Sequence, residues 1–311
     1  MIRFKHIVFF IFCFTTSASI AQRGIDGNRI VSAAGTIVNE YTTLTADAAA
    51  GATTITVAAS GLNANTRFGA GNNLAAGDLI MIIQMQGVSS STSSSIEFPA
   101  GSGQFYGFPN DLTWGQITSY NNCGNYEFCQ VRAVPTATTI TIDCGLKNPY
   151  TSAGRVQVIR VPRYNTLTIN SGGVLTCPAW AAGGIFTGGI VAVEVYGATV
   201  INAGGSITST GLGFRGCSRV GDNVTTLGGG QVARNDATEG AEKGEGVFGY
   251  QADYNVIAGR FCRGAAGNAG GGGDAHNAGG GGGANAGTGV WDGEGNPDIS
   301  GGAGWIAAWN L

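Results

Sequence analysis

Two groups of residues carry the functional atoms that chemistry needs, and both sit among glycines. The first is Asp274, His276 and Asn277, a polar turn between the two runs of GNAGGGGDAHNAGGGGGANAG (residues 267–287). A carboxylate and an imidazole two residues apart are components of a metal site or an acid–base pair. The second is EGAEKGEG, which spaces Glu239, Glu242 and Glu245 three apart around Lys243. That spacing can bring carboxylates to one side, as polysaccharide-cleaving sites require, although a glycosidase pair is defined by a separation in space. Neither group completes an active site. His276 is the one histidine after the first 21 residues, and no nucleophile forms a triad pattern with it. Asp274 and His276 therefore read first as turn residues and Glu239–Glu245 as a solvated loop. No catalytic residue, cofactor or metal is expected. Trp180, Trp291 and Trp305 are candidate faces for stacking on sugars, although core or edge packing is the expected fate of each.

The glycine runs match no nucleotide motif. A phosphate loop would need Gly-Lys-Ser/Thr and a following helix. A dinucleotide fingerprint would need a surrounding βαβ unit. The calcium-binding nonapeptide is excluded because Asp274 is not repeated at its spacing. Flexible linkers are rich in serine and polar residues, whereas aromatic residues such as Phe248, Tyr254, Trp291 and Trp305 border this stretch. Extended three-per-turn glycine strands, bonded to one another as collagen chains are, fit that setting best.

Composition narrows the classes further. The 311 residues include 55 glycines, 11% are charged, and the formal net charge is −3. That balance provides no basic footprint for nucleic acid, and a hydrophobic content of 43% supplies a core. The start reads as an export signal, removed after Ala21. Arg3, Lys5 and His6 precede an apolar run from Ile7 to Phe14, and Ser19-Ile20-Ala21 has the small-x-small pattern. The run is too short to span a bilayer, and no later segment suits that role. Six cysteines remain, an even count that suggests disulfides in an exported chain. Cys123 with Cys129, across a short turn, and Cys217 with Cys262 are the expected pairs.

The elements that must position these groups are strands. TTITVA (53–58), LIMIIQM (79–85), FCQVRAV (128–134), TTITID (138–143) and RVQVIRV (155–161) are β-branched runs bounded by turn residues. The last alternates Val156, Val158 and Val161 against Arg155, Gln157 and Arg160. Thr53-Thr54-Ile55-Thr56-Val57 recurs as Thr138-Thr139-Ile140-Thr141-Ile142. Beyond Arg163, TLTINSGGVLTC (166–177) aligns with ATVINAGGSITS (198–209) at an offset of 32, with a further strand from Ile190 to Tyr196 between them. Short strands joined by glycine turns at a fixed repeat describe a parallel β-helix. The expected architecture is all-β. Residues 1–21 are the signal, 22–162 a β-rich, sandwich-like domain, 163–263 a parallel β-helix-like solenoid, and 264–311 a glycine-rich, polyglycine-II-like segment.

In combination, AAGATTITV (49–57), GDLIMIIQMQG (77–87), GNYEF (124–128), VPRYNTLTI (161–169), GGIVAVEVYG (188–197), KGEGVFGY (243–250) and the glycine runs give the chain its resemblance. It resembles the N-terminal region of large secreted or cell-surface adhesin-like proteins of Bacteroidetes and related gliding bacteria. The glycine runs alone resemble polyglycine-sandwich modules of phage tail-tip adhesins. The resemblance covers most of the mature chain and implies surface exposure and adhesion. It also implies a longer parent with repeat domains and a C-terminal sorting domain, of which this chain would be a fragment. The function it implies is non-catalytic binding of an extracellular glycan, surface or partner protein. The alternative is a β-helix lyase or hydrolase that uses Glu239–Glu245.

Overall fold

The computed structural model describes residues 23–91, 117–181, 184–216, 242–257 and 267–270. The strands in chain order are β1 (Asn28–Val31), β2 (Thr36–Ile37), β3 (Glu40–Thr43), β4 (Thr54–Thr56), β5 (Leu79–Gln84), β6 (Ser89–Ser90), β7 (Ile117–Ser119) and β8 (Tyr126–Thr136). They continue as β9 (Thr139–Ile142), β10 (Val156–Val161), β11 (Arg163–Tyr164), β12 (Thr166–Ile169), β13 (Val174–Thr176), β14 (Glu194–Val195), β15 (Thr199–Ile201) and β16 (Ser206–Ile207). One short α-helix, α1 (Gln251–Val256), is present among the described residues. The protein is all-β.

Two arrangements of strand account for the fold. In the first, β3, β10, β5, β8, β9 and β4 form a six-stranded antiparallel sheet in that order. It curls over a core of Leu44, Ile55, Val57, Ile80, Ile82, Val131, Ile140 and Val158. The recurring threonine–isoleucine phrase explains one seam of it. Its two copies pair with each other, with Ile55 opposite Ile140 and threonines on either side. Both isoleucines point into the core and the threonines away from it, the period-2 pattern of a strand with one buried face. Ile140 is fully buried. Ile140→Ala should cost about 3 kcal/mol, read as a lower urea midpoint at unchanged slope.

In the second arrangement the strands run parallel. β12 lies between β1 and β15, β13 lies between β2 and β16, and β11 pairs with β14. Leu167, Thr168 and Ile169 stand opposite Thr199, Val200 and Ile201, and Val174 stands opposite Ser206, all 32 residues apart. Asn202 donates to the Asn170 side chain at 3.2 Å, and Asn170 donates to Ser32 at 2.9 Å, so the turns are stacked as well as the strands. Val31, Val38, Tyr164, Leu167, Ile169 and Leu175 fill the interior, with Val191, Val193 and Val195 packed against them.

The boundary expected at residue 162 therefore needs correction. Asn28–Val31 pairs with Thr166–Ile169, and Thr36–Ile37 with Leu175–Thr176. Residues 28–37 belong to the parallel stack, and the antiparallel sheet is inserted between two of its layers. The six-stranded sheet also lays its second face on the stack. Met81, Ile159 and Val161 meet Ala192 and Ile190 there.

Two buried amides join the parts. Asn39 donates to the carbonyls of Arg160 and Ala192 at 3.0 and 2.6 Å and accepts the Ala192 N–H. Gln157 bonds both backbone groups of Gly188. Covered on both faces, β10 is buried along its whole length. The alternation of Val156 and Val158 with Gln157 and Arg160 therefore does not divide a buried face from an exposed one. Gln157 and Arg160 are both inside and have partners.

Candidate functional site

β8 is the longest strand among the described residues, and its outward face carries Tyr126, Phe128, Gln130 and Arg132 at every second residue. Tyr126 and Phe128 are 57% and 51% exposed, an aromatic pair about 7 Å apart along the strand. They lie opposite Ile83 and Met81 of β5 and extend the apolar face that covers the parallel stack. Past them the face becomes polar. An open cleft of about 840 Å³ forms where the chain bends after β9, with Phe128, Arg132, Asp143 and Lys147 among its walls. Its two carboxylates, Glu127 and Asp143, are matched by Arg132 and Lys147, so it presents both signs of charge.

One residue holds the cleft wall in shape. The Glu127 carboxylate accepts the N–H groups of Lys147 and Asn148 at 2.9 and 3.1 Å and the Tyr150 hydroxyl at 3.0 Å. Burial, followed by the neighbouring Glu127 charge, pushes the Tyr150 phenol far above its ordinary value. The same two causes, in the same order, raise the Cys129 thiol to about 12. With its oxygens engaged, Glu127 positions the 144–150 segment, while Asp143, Arg132 and Phe128 line the open cleft. The aromatic strip was missed in the sequence. Its signal is Tyr126-x-Phe128-x-Gln130-x-Arg132, in which the large apolar residues share parity with the polar ones and lie opposite to buried Val131.

The expected site residues are not brought together there. Trp180 is 2% exposed. Its ring meets Phe214 edge-on at 5.6 Å and Phe186 at 6.2 Å, so it packs and offers no face to a ligand. Glu242, Lys243 and Glu245 are buried, which corrects the reading of this segment as a solvated loop. Glu245 accepts the Arg215 N–H at 2.9 Å and pairs with its guanidinium at 3.3 Å. Glu239, Asp274, His276, Asn277, Trp291 and Trp305 lie outside the described residues, as do the expected export signal and nearly all of the glycine-rich segment. At that segment's start, Ala269 is buried with Tyr254 beside Phe248, and Asn268 accepts the Val247 N–H at 2.7 Å.

The expected Cys123–Cys129 bond is absent. Both are free thiols. Cys123 lies in the turn before β8 and donates to the Met85 carbonyl at 3.4 Å. From Asn125 the chain is extended, which carries Cys129 about 13 Å further along, beyond the reach of a disulfide. Cys217 and Cys262 lie outside the described residues. No helix among the described residues is long and apolar enough to cross a membrane, and they contain no cluster of three or more metal-ligating side chains.

No protein-family model matches the chain, and no curated protein matches it. Among solved structures it is similar to the tailspike protein gp49 from Pseudomonas phage LKA1, with 19% identity over 57% of this chain and 29% of that one, at a TM-score of 0.21. It is also similar to the gp54 tailspike of Acinetobacter baumannii bacteriophage AP22, solved in complex with A. baumannii capsular saccharide (13% identity, 58% and 28% coverage, TM-score 0.23). A third is the tailspike gp61 of Pseudomonas phage phi297 (12% identity, 60% and 37% coverage, TM-score 0.23). The chain thus spans less than two-fifths of the length of each.

Proposed function

We propose that this chain is an exported, non-catalytic cell-surface protein that binds extracellular glycan along the outward face of β8. The observation that carries the reading is the exposed Tyr126–Phe128 pair running into a cleft with Arg132 and Asp143. Aromatic faces stack on the apolar faces of sugar rings, while carboxylate, amide and guanidinium groups bond their hydroxyls. A binding role is also supported by the burial of Glu242 and Glu245, which leaves neither as an open acid–base pair. The parallel ladders, one at an offset of 32 and one at 138, support three successive turns of a β-helix as the rigid stalk behind this face. The motifs of the adhesin-like proteins support a place at the cell surface as part of a longer chain with repeat domains.

A panel of purified bacterial and plant polysaccharides, titrated against the protein by calorimetry, tests this. Phe128→Ala and Arg132→Ala should each weaken the bound polysaccharide about tenfold, equivalent to about 1.4 kcal/mol. Binding that neither substitution changes would remove the site. Turnover of a polysaccharide that Glu242→Gln abolishes would replace the binding role with the lyase or hydrolase reading.

A further inference from the structure

The end of the β8–β9 ladder brings two thiols near each other, Cys129 on β8 and Cys144 two residues past β9. Val131 stands opposite Ile142, and the Asp143 N–H donates to the Gln130 carbonyl at 3.0 Å. The Val131 N–H turns the other way, to Asp78 of the β5 side, at 2.8 Å. Gln130 and Asp143 are therefore a hydrogen-bonded pair just past the last rung of the ladder, and the same register carried one residue further, into the bend at 143–144, sets Cys144 against Cys129. Opposed Cα atoms of antiparallel chains lie about 4.5–5.5 Å apart, within the range that a disulfide bridges. Both residues border the same cleft, and the charge of Cys144 is felt at the Cys129 thiol. Both are thiols in this structure, Cys129 buried and Cys144 exposed.

We infer that Cys129 and Cys144 are a cross-strand oxidation site that closes into a disulfide when a small-molecule or protein disulfide is supplied. The exposed Cys144 thiolate attacks the donor disulfide, forming a mixed disulfide and releasing one donor thiolate. Cys129 then loses its proton and attacks the Cys144 sulfur, which releases the second donor thiolate. Two protein thiols are oxidised, one donor disulfide is reduced to two thiols, and two electrons pass between them. Burial keeps Cys129 protonated, so the second step is the slow one. The bond would tie the end of β9 to β8 at the wall of the cleft, independently of whether that cleft binds glycan.

The test uses the full chain, incubated with oxidised glutathione, alkylated without reduction, digested and mapped by mass spectrometry. The expected product is one peptide pair joined through Cys129 and Cys144, while Cys123 remains alkylated. Thermal unfolding of the oxidised protein should shift upward by roughly 5–10 °C, reversed by dithiothreitol. Cys144→Ser, at an exposed position, should abolish both the linked peptide and the shift, and Cys123→Ser should leave both intact. Glutathione retained on Cys144 with Cys129 still alkylatable would overturn the inference. So would a link from Cys129 to any other cysteine.

Discussion

Gly173→Ala is expected to destabilise the protein by about 3 kcal/mol, and Gly172→Ala, one residue earlier, by only about 1–2 kcal/mol. The difference follows from what each glycine does. Gly172 has φ +77°, and a Cβ there would meet nothing within 4 Å. It supplies the left-handed turn after β12, and alanine would carry only the conformational cost. Gly173 lies outside the left-handed region, but a Cβ there would fall 2.3 Å from the Val31 carbonyl oxygen and 3.0 Å from that of Asn170. Those are backbone atoms in the layer below and in its own turn, so relief requires the layers to part. The offset of 32 repeats the division of labour. Gly204 has φ +82°, and a Cβ at Gly205 would lie 2.8 Å from the Asn170 carbonyl. Thermal melts should place Gly173→Ala about 6–12 °C below the wild type, and Gly172→Ala nearer to it. Equal effects, or the reverse order, would show that the layers are not packed as described.

That pair of glycines also shows how far sequence carries. Asn170-x-Gly-Gly and Asn202-x-Gly-Gly stand 32 residues apart, and that interval is the pairing register because parallel strands of one stack meet residue for residue. The remaining layer was illegible. Residues 28–37 lack the paired glycines, and their partners in β12 lie 138 residues further on, with Val31 opposite Ile169. Nothing local marks a layer whose neighbour follows a whole inserted sheet. The burial of both faces of β10 was illegible for a related reason. Alternation reports burial only where one side meets water, and here the parallel stack covers the second side. Trp180 packs, the fate the sequence favoured over sugar stacking, whereas the Glu242–Glu245 segment was read as solvated, because residue type cannot report which neighbours arrive from distant parts of the chain.

The second large effect belongs to a charge that composition would place outside. Arg160, on buried β10, pairs with Asp78 at 2.8 Å, donates to the Asn72 carbonyl at 2.7 Å, and rests 3.8 Å over the Phe68 ring. Asp78→Ala should cost about 3–5 kcal/mol, because the guanidinium stays buried without its counter-ion. The pair itself is a poor source of stability. Burial, the largest influence on each, raises the Asp78 carboxyl above its ordinary 3.8 and lowers Arg160, so desolvation outweighs their attraction. The sign for pH follows. The folded protein holds the Asp78 proton more tightly than the unfolded chain does, so the cost of ionising this carboxyl begins as pH rises past its ordinary 3.8, is complete above its raised folded value, and persists at neutrality. Removing both charges should then be far milder than removing one. Asp78→Leu combined with Arg160→Met should restore most of what Asp78→Ala loses, and urea unfolding at pH 7 measures both. If the double variant were as unstable as the single one, the pair would be a net stabiliser, and Arg160 would fix β10 against the 68–78 segment by charge rather than merely tolerate its burial there.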